Sequence, residues 1–343
     1  MSRDIDTLVR GLNVRYTDPA RNRMVGETAG ERPRLELYHF HLSLCSYKVR
    51  TVLDEKQAPY FSHDIDIFPP DIKNYYPEYV RLRLRGGEEL RDARLVSGYT
   101  GRSSTESEGF DPCVVPTLVD HEAGRVLVNS KRMCLHIDST VPTGTKLVPD
   151  DIKDAVITQM DIVDRTPHVA VLYGAHPDHD PRPAFVRRDM VGVHDMKIGK
   201  LRDNMALVAN ESELVKAYEA KIAKESAAKR FIRTERDMRG VIDEFREIVT
   251  RLDRDLAATS KTWLFGERFT MADVFWAVSL FRMRWLGLGY LFMPGGPEPR
   301  PRVAAYCHAL LGRPSFRRAV IYWPNHPPSE HLPEFYPAAA SRS

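Results

Sequence analysis

The 343-residue chain is long for one compact unit and comfortable for two domains with appendages. An apolar fraction of 43% is enough to fill a core. The net charge of +3 is the small remainder of 50 basic and 47 acidic residues, which argues against a nucleic-acid binder with its concentrated basic face.

From the N-terminus, residues 1–34 are polar, charged and without sustained periodicity; they are expected to form a loose arm that could pack on a partner subunit. Charges throughout this stretch leave no apolar segment of the kind a secretory signal needs. Cys45, Cys113, Cys134 and Cys307 are scattered, with neither zinc spacing nor a disulfide framework, which points to a reducing cytoplasm.

The next unit is expected over residues 35–141. LELYHFHL reads as a strand that breaks at Ser43-Leu44-Cys45-Ser46, and SYKVRTVLDEKQ as a helix with Val49, Val52 and Leu53 on its apolar side. YFSHDIDI reads as a second strand ended by Pro69-Pro70. Residues 69–112, with Gly86-Gly87 and SGYTGRSSTESEG, form an irregular excursion too long for a plain connection, which makes it either functional or mobile; residues 86–109 within it are expected to be a lid over a ring site. Val114–Asp120 and Arg125–Asn129 look like two strands joined by a short turn, and Ser130 opens a helix. The order is therefore β-α-β, excursion, β-β-α.

Residues 146–325 are expected to be all helical, with a Pro/His/Asp-rich loop at 176–183 and a tail over 326–343. Thr270-x-x-Asp273 before an apolar run is a variant capping box. That run, Val274–Phe281, is far too short to span a bilayer and leads into Arg282.

Three places carry chemistry. A strand that ends at a helix N-terminus presents free N–H groups and the positive end of the helix dipole, which stabilise a thiolate. Cys45 stands there with Lys48 and Arg50 close behind, and Ser43 or Ser46 could donate to a thiolate. The competing reading makes Cys45 a small core residue and Ser46 an N-cap. Val115-Pro116 at a strand start suits a cis peptide bond, which would turn the N–H and C=O of Val115 toward a peptide-like ligand. Asn129-Ser130 suits a ligand carboxylate, or an ordinary N-cap. Arg81, Arg83 and Arg85 read as a solvated charged face, and Trp276, Phe281 and Trp285 as core. His39, His41, His168, His176, His179 and His194 lack metal-site spacing.

In combination these segments resemble the glutathione transferase superfamily. SLCSYKVR at 43–50 is similar to the catalytic segment of zeta-class enzymes, VVPTL at 114–118 to the cis-proline site for the glutathione backbone, and Asn129-Ser130 to the γ-glutamyl site. FTMAD at 269–273 and RPSF at 313–316 resemble the capping box and closing segment of the second domain. Within the superfamily a closer resemblance is to bacterial reductive dechlorinases of chlorinated hydroquinones, through YYPEYVRLRLR, VVPTLVDHEAGR, TPHVAVLYGA and WPNHPPSE. Two departures stand out: Leu44 occupies a position where zeta-class enzymes usually carry serine, and Asn129 replaces a common acidic residue.

The resemblance implies a thioredoxin-like N-terminal domain, an all-α C-terminal domain and a homodimer. It also implies removal of chloride from a chlorinated hydroquinone, or dichlorogentisate, with two glutathiones per turnover and neither metal nor flavin. Cys45 would then take sulfur from a glutathionyl thioether, Ser43 and Ser46 would poise thiolates, and Val115, Pro116, Asn129 and Ser130 would hold glutathione. His168 or Tyr173 would contact the ring and assist its tautomerisation. The rival enzyme reading is a glutathione thiol lyase or β-etherase; the rival non-enzymatic reading is a binding protein of the same fold.

Overall fold

The computed structural model describes residues 4–16, 18–27, 33–90, 94–259 and 261–336. Parts of the expected arm (1–3, 17, 28–32), excursion (91–93) and tail (337–343) lie outside the described residues.

Over its described residues the opening stretch is structured rather than loose. Helix α1 (Ile5–Arg15) buries Leu8, Val9 and Leu12, and strand β1 (Asn22–Val25) pairs antiparallel with β3 (Tyr60–Asp64), Asn22 opposite His63 and Val25 opposite Tyr60. Those three and the partly buried Ile5 anchor α1, too few to stand out among its charges. Tyr16 just beyond it donates to the Lys73 carbonyl at 2.8 Å.

β1 and β3 belong to a five-stranded sheet with β2 (Leu35–His39), β4 (Thr117–Asp120) and β5 (Arg125–Val128), in the order β1-β3-β2-β4-β5. β2 and β3 run parallel through α2 (Leu44–Glu55), and β4 and β5 form an antiparallel hairpin beside β2. All five residues of β2 are buried, as a central strand covered on both faces requires.

The excursion is less irregular than its composition indicates. Helix α3 (Pro77–Gly87) occupies its first half, with proline at the first helical turn. The Gly86-Gly87 pair does not break the chain there; it lets the helix lie on β5. A Cβ at Gly86 would come within 2.8 Å of Val128 Cγ1 and 2.9 Å of the Val126 carbonyl oxygen. Nor is VRLRLR a solvated face: Arg83 is buried and donates to Thr117 Oγ1 and the Asp111 carbonyl, both at 3.0 Å. Arg81 reaches Glu211 and Arg85 reaches Glu88. A single turn, α4 (Thr105–Glu108), follows before β4, and α5 (Ser130–Thr140) closes the sheet-containing half against α2.

Beyond α5 every regular element among the described residues is helical: α6 (Lys153–Asp164), α7 (Ala170–Tyr173), α8 (Ala184–Asp189), α9 (Val193–Leu207), α10 (Ser212–Phe231), α11 (Glu235–Thr259), α12 (Met271–Trp285) and α13 (Pro301–Gly312). All fifteen residues of α12 are buried, so it is the axis on which α2, α6 and α13 pack. Its start is fixed as expected, with the Thr270 N–H donating to Asp273 Oδ2 at 2.7 Å. Asp273 also accepts from the Leu264 N–H and the Tyr306 hydroxyl, which ties the cap to α13. Trp276, Phe281 and Trp285 are core residues. The described part of the tail packs too: Leu332 and Phe335 are buried, and Tyr47 Oη meets His326 Nε2 at 2.7 Å. No described helix is long and apolar enough to cross a membrane.

Candidate active site

Ser43 ends the run after β2 in an extended conformation and caps α2, its Oγ accepting from the Ser46 N–H at 3.4 Å. Cys45 is therefore the second helical residue, with its sulfur near the positive end of α2. The four cysteines are all free, but only Cys45 is half-exposed; the other three are buried. Burial pushes the Cys113 and Cys134 thiols above the usual range and Cys307 up to about 12.

Cys45 opens onto a cavity of about 180 Å³ between the sheet and the helical half. Ser43, Val115, Pro116, Asn129, Ser130, His168 and Tyr173, all singled out in the sequence, line the same cavity. The Val115-Pro116 bond is cis. Asn129 has φ of 78° and caps α5, its Oδ1 accepting from the Arg132 N–H at 3.2 Å. Ser130 begins that helix and is nearly buried at the cavity wall.

Ser46 stands apart from this group. It is fully buried, its Oγ accepts from the Phe40 N–H at 3.4 Å, and it does not line the cavity. Arg50 also points away: it is fully buried and donates to the Ala319 carbonyl at 2.8 Å and the His41 carbonyl at 3.1 Å. A helix start has several faces, and the sequence did not say which one met the cavity.

The structure brings in groups that sequence reasoning missed. Ser103, from the excursion, places Oγ 3.5 Å from Cys45 Sγ, and Arg102, Ser104 and Tyr99 line the cavity beside it. The excursion is held down by the Gly101 carbonyl, which accepts from the Val169 N–H at 2.9 Å, and by Arg102 on Glu244. Its unusual length was the one sequence signal for this role. Ser103→Ala is expected to slow iodoacetamide alkylation of Cys45 about 2–10-fold, the worth of one hydrogen bond to sulfur. Comparing alkylation rates of the two proteins at one pH checks this.

Two cations flank Cys45 and interact with it electrostatically. Lys48 is fully buried and paired with Asp164, Nζ to Oδ1 at 2.8 Å. Although burial opposes its charge, Asp164 and Cys45 raise the Lys48 ammonium above its usual pKa. Arg282 from α12 donates to the Leu42 carbonyl and lines the cavity; burial lowers its pKa, while Tyr47, Tyr173 and Cys45 oppose that shift. An arginine ending the most apolar run in the chain was its sequence signal.

The cavity wall carries further buried polar side chains. His168 is held neutral by burial and by the nearby charges of Lys48 and Arg282. Neither of its ring nitrogens has a hydrogen-bond partner among the described residues. Its ring packs edge-on against Phe245, centroids 5.1 Å apart. Tyr173 lies under Lys197, whose Nζ is 4.3 Å from the ring centroid and donates to the Tyr173 hydroxyl. No cluster of three or more metal-ligating side chains occurs among the described residues.

Comparison with known proteins extends these observations. Residues 216–309 match the family model of the glutathione S-transferase C-terminal domain. The chain is 46% identical to 2,5-dichlorohydroquinone reductive dechlorinase of Sphingobium indicum, over 97% of this chain and 98% of that one. It is 25% identical to tetrachloro-p-hydroquinone reductive dehalogenase of Sphingobium chlorophenolicum, over 84% and 96%. Among solved structures, glutathione S-transferase III in apo form superposes with a TM-score of 0.51 at 19% identity, over 86% of this chain and 99% of that one. A β-etherase from Sphingobium sp. strain SYK-6 gives 0.51 at 15% identity, over 83% and 98%. These two likenesses concern the fold.

Proposed function

The chain belongs to the glutathione transferase superfamily, and from that membership we propose that it is a glutathione-dependent reductive dechlorinase of chlorinated hydroquinones. The observation that carries the reading is the half-exposed Cys45 at the start of α2, on a cavity wall shared with Val115, cis-Pro116 and Ser130.

Glutathione lies along Val115, with a carboxylate toward Asn129-Ser130 and the N-terminus of α5. The hydroquinone occupies the same cavity, where the free nitrogens of His168 meet a ring hydroxyl. Loss of chloride as a reduction needs two electrons, and two thiols supply them. The ring first moves a hydroxyl proton to its chlorine-bearing carbon, giving an α-chloroketone. The glutathione thiolate forms a C–S bond there and chloride leaves with its electron pair. Cys45 thiolate attacks the thioether sulfur; the C–S pair returns to the ring, which becomes the dechlorinated hydroquinone, and a Cys45–glutathione disulfide remains. A second glutathione releases oxidised glutathione and restores Cys45. Ser103 takes the part of hydrogen-bond partner to Cys45, which leaves Ser46 a packing role. The enzyme works as a homodimer in the cytoplasm, where glutathione is reduced.

The test is chloride release from 2,5-dichlorohydroquinone with reduced glutathione, followed together with oxidised glutathione. One chloride and one oxidised glutathione per turnover supports the reading. Thioether cleavage without chloride release from any chlorinated hydroquinone or gentisate would favour a lyase of the β-etherase kind. Neither reaction, with weak glutathione binding, would leave a binding protein.

A further inference from the structure

We infer that His194, oriented by Glu225, is the base that carries the substrate's hydroxyl proton to the chlorine-bearing carbon; this rests on the dechlorinase reading above. His194 is the second residue of α9 and Glu225 lies on α10, and both line the cavity that Cys45 enters. Nδ1 of His194 is 2.7 Å from Glu225 Oε2, and both side chains are buried. Nε2 of His194 is buried and has no partner among the described residues.

The hydrogen-bond roles follow from the neighbours. Burial works against a charge on Glu225, but Lys221, Lys197 and the His194 hydrogen bond hold its carboxyl well below the usual range. Lys221 Nζ is 2.9 Å from Glu225 Oε1 and 2.9 Å from Asp111 Oδ2, and Lys224 reaches the same Asp111 oxygen at 3.0 Å. An ionised carboxylate only accepts, so Nδ1 of a neutral His194 carries the hydrogen and Nε2 the lone pair. A buried acceptor left unpaired is destabilising, and a ligand hydroxyl would relieve that. A carboxylate and an imidazole that both line the cavity, the imidazole keeping one unpartnered nitrogen, make the base-and-orienter arrangement of general base catalysis. His168 lacks such an orienter: both of its nitrogens are free and nothing fixes its tautomer. Lys197, over Tyr173, puts a positive charge beside His194, whose ring is 4.9 Å from that of Tyr173. The charge favours the oxyanion that forms as the proton leaves.

In this step the O–H bond breaks to Nε2, the oxygen pair becomes the C=O bond, and a ring C=C pair takes the proton at the chlorine-bearing carbon. No electrons enter or leave, and His194 returns to neutral. The two thiols then act on the ketone as described.

The experiment compares His194→Gln and Glu225→Gln with wild type in two reactions. Chloride release from 2,5-dichlorohydroquinone requires the proton transfer. Reduction of S-phenacylglutathione to acetophenone by glutathione uses a thioether whose carbonyl is already formed, and needs only Cys45. His194→Gln is expected to lower kcat for chloride release about 10²–10⁴-fold with KM little changed, the range of general base catalysis. S-phenacylglutathione reduction should continue at the wild-type rate, and Glu225→Gln should show the same split. Loss of both reactions in His194→Gln would overturn the inference in favour of a structural role, and loss of neither would overturn it outright. A wild type that reduces S-phenacylglutathione but releases no chloride would overturn the dechlorinase reading and this inference with it.

Discussion

Cys45→Ser is expected to stop formation of the dechlorinated hydroquinone while sparing the first chloride displacement, so that a glutathionyl-hydroquinone accumulates. The two thiol steps differ in what they ask of the protein. In the proposed mechanism glutathione brings its own sulfur to the carbon, and the cavity that Val115 and Ser130 line has only to hold it. The second step needs a nucleophile that attacks sulfur and leaves as a disulfide, and a hydroxyl at the same place forms no stable bond of that kind. The other cysteines cannot substitute, since Cys113, Cys134 and Cys307 are buried with raised thiol pKa values. Losing a nucleophile of this sort lowers turnover on the order of 10³-fold or more. Intact-mass analysis gives a second readout: wild type quenched in turnover carries one glutathione, and Cys45→Ser carries none. Full turnover by the serine variant would exclude Cys45 from the chemistry.

The second large effect is on stability. Asp164→Asn is expected to destabilise the protein by about 3–5 kcal/mol, because it leaves the Lys48 ammonium buried without its anion. Lys48 lies on α2 and Asp164 ends α6, so the pair joins the sheet-containing half to the helical half. Lys48 has no exposed surface on its side chain and Asp164 has 4%, so the ammonium left behind stays out of bulk solvent. The double variant Lys48→Met/Asp164→Asn should recover most of the loss, since no uncompensated charge remains. The urea midpoint, at unchanged slope, reads both effects.

The pH dependence has a definite sign. Burial raises the Asp164 carboxyl, but Lys48 and Ser104 pull it below its ordinary 3.8. A carboxyl depressed in the folded state stabilises the fold above that ordinary value, and the contribution is lost as pH falls through the lowered one. Asp164→Asn should therefore flatten the acid side of the stability curve below about pH 4.

What the sequence determined by itself is everything encoded over a few consecutive residues. The handover at Ser43-Leu44-Cys45, the strand-to-helix step at Asn129-Ser130 and the Thr270–Asp273 cap are each set by hydrogen bonds within one turn; Pro116 permits the cis bond to Val115, although local sterics favour trans. Hydrophobic periodicity likewise reported the β-α-β and β-β-α order and the helical second half. It missed α1 and β1, where few apolar residues stand among charges, and it read the Gly86-Gly87 end of α3 as irregular because glycine looks like a breaker unless the strand it packs on is known.

Only the tertiary structure decided which side chains meet. Ser103 reaches Cys45 across 58 residues, Lys48 reaches Asp164 across 116, and His194 reaches Glu225 across 31. It also turned Ser46 and Arg50 into the core and Cys45 to the cavity. Such pairings carry no local signature: a charged or hydroxyl residue reads the same in a sequence whether it faces water or a buried partner. Its partner is set by how α2, α6 and α12 pack in one apolar cluster and α9 and α10 in a second, and not by its neighbours along the chain.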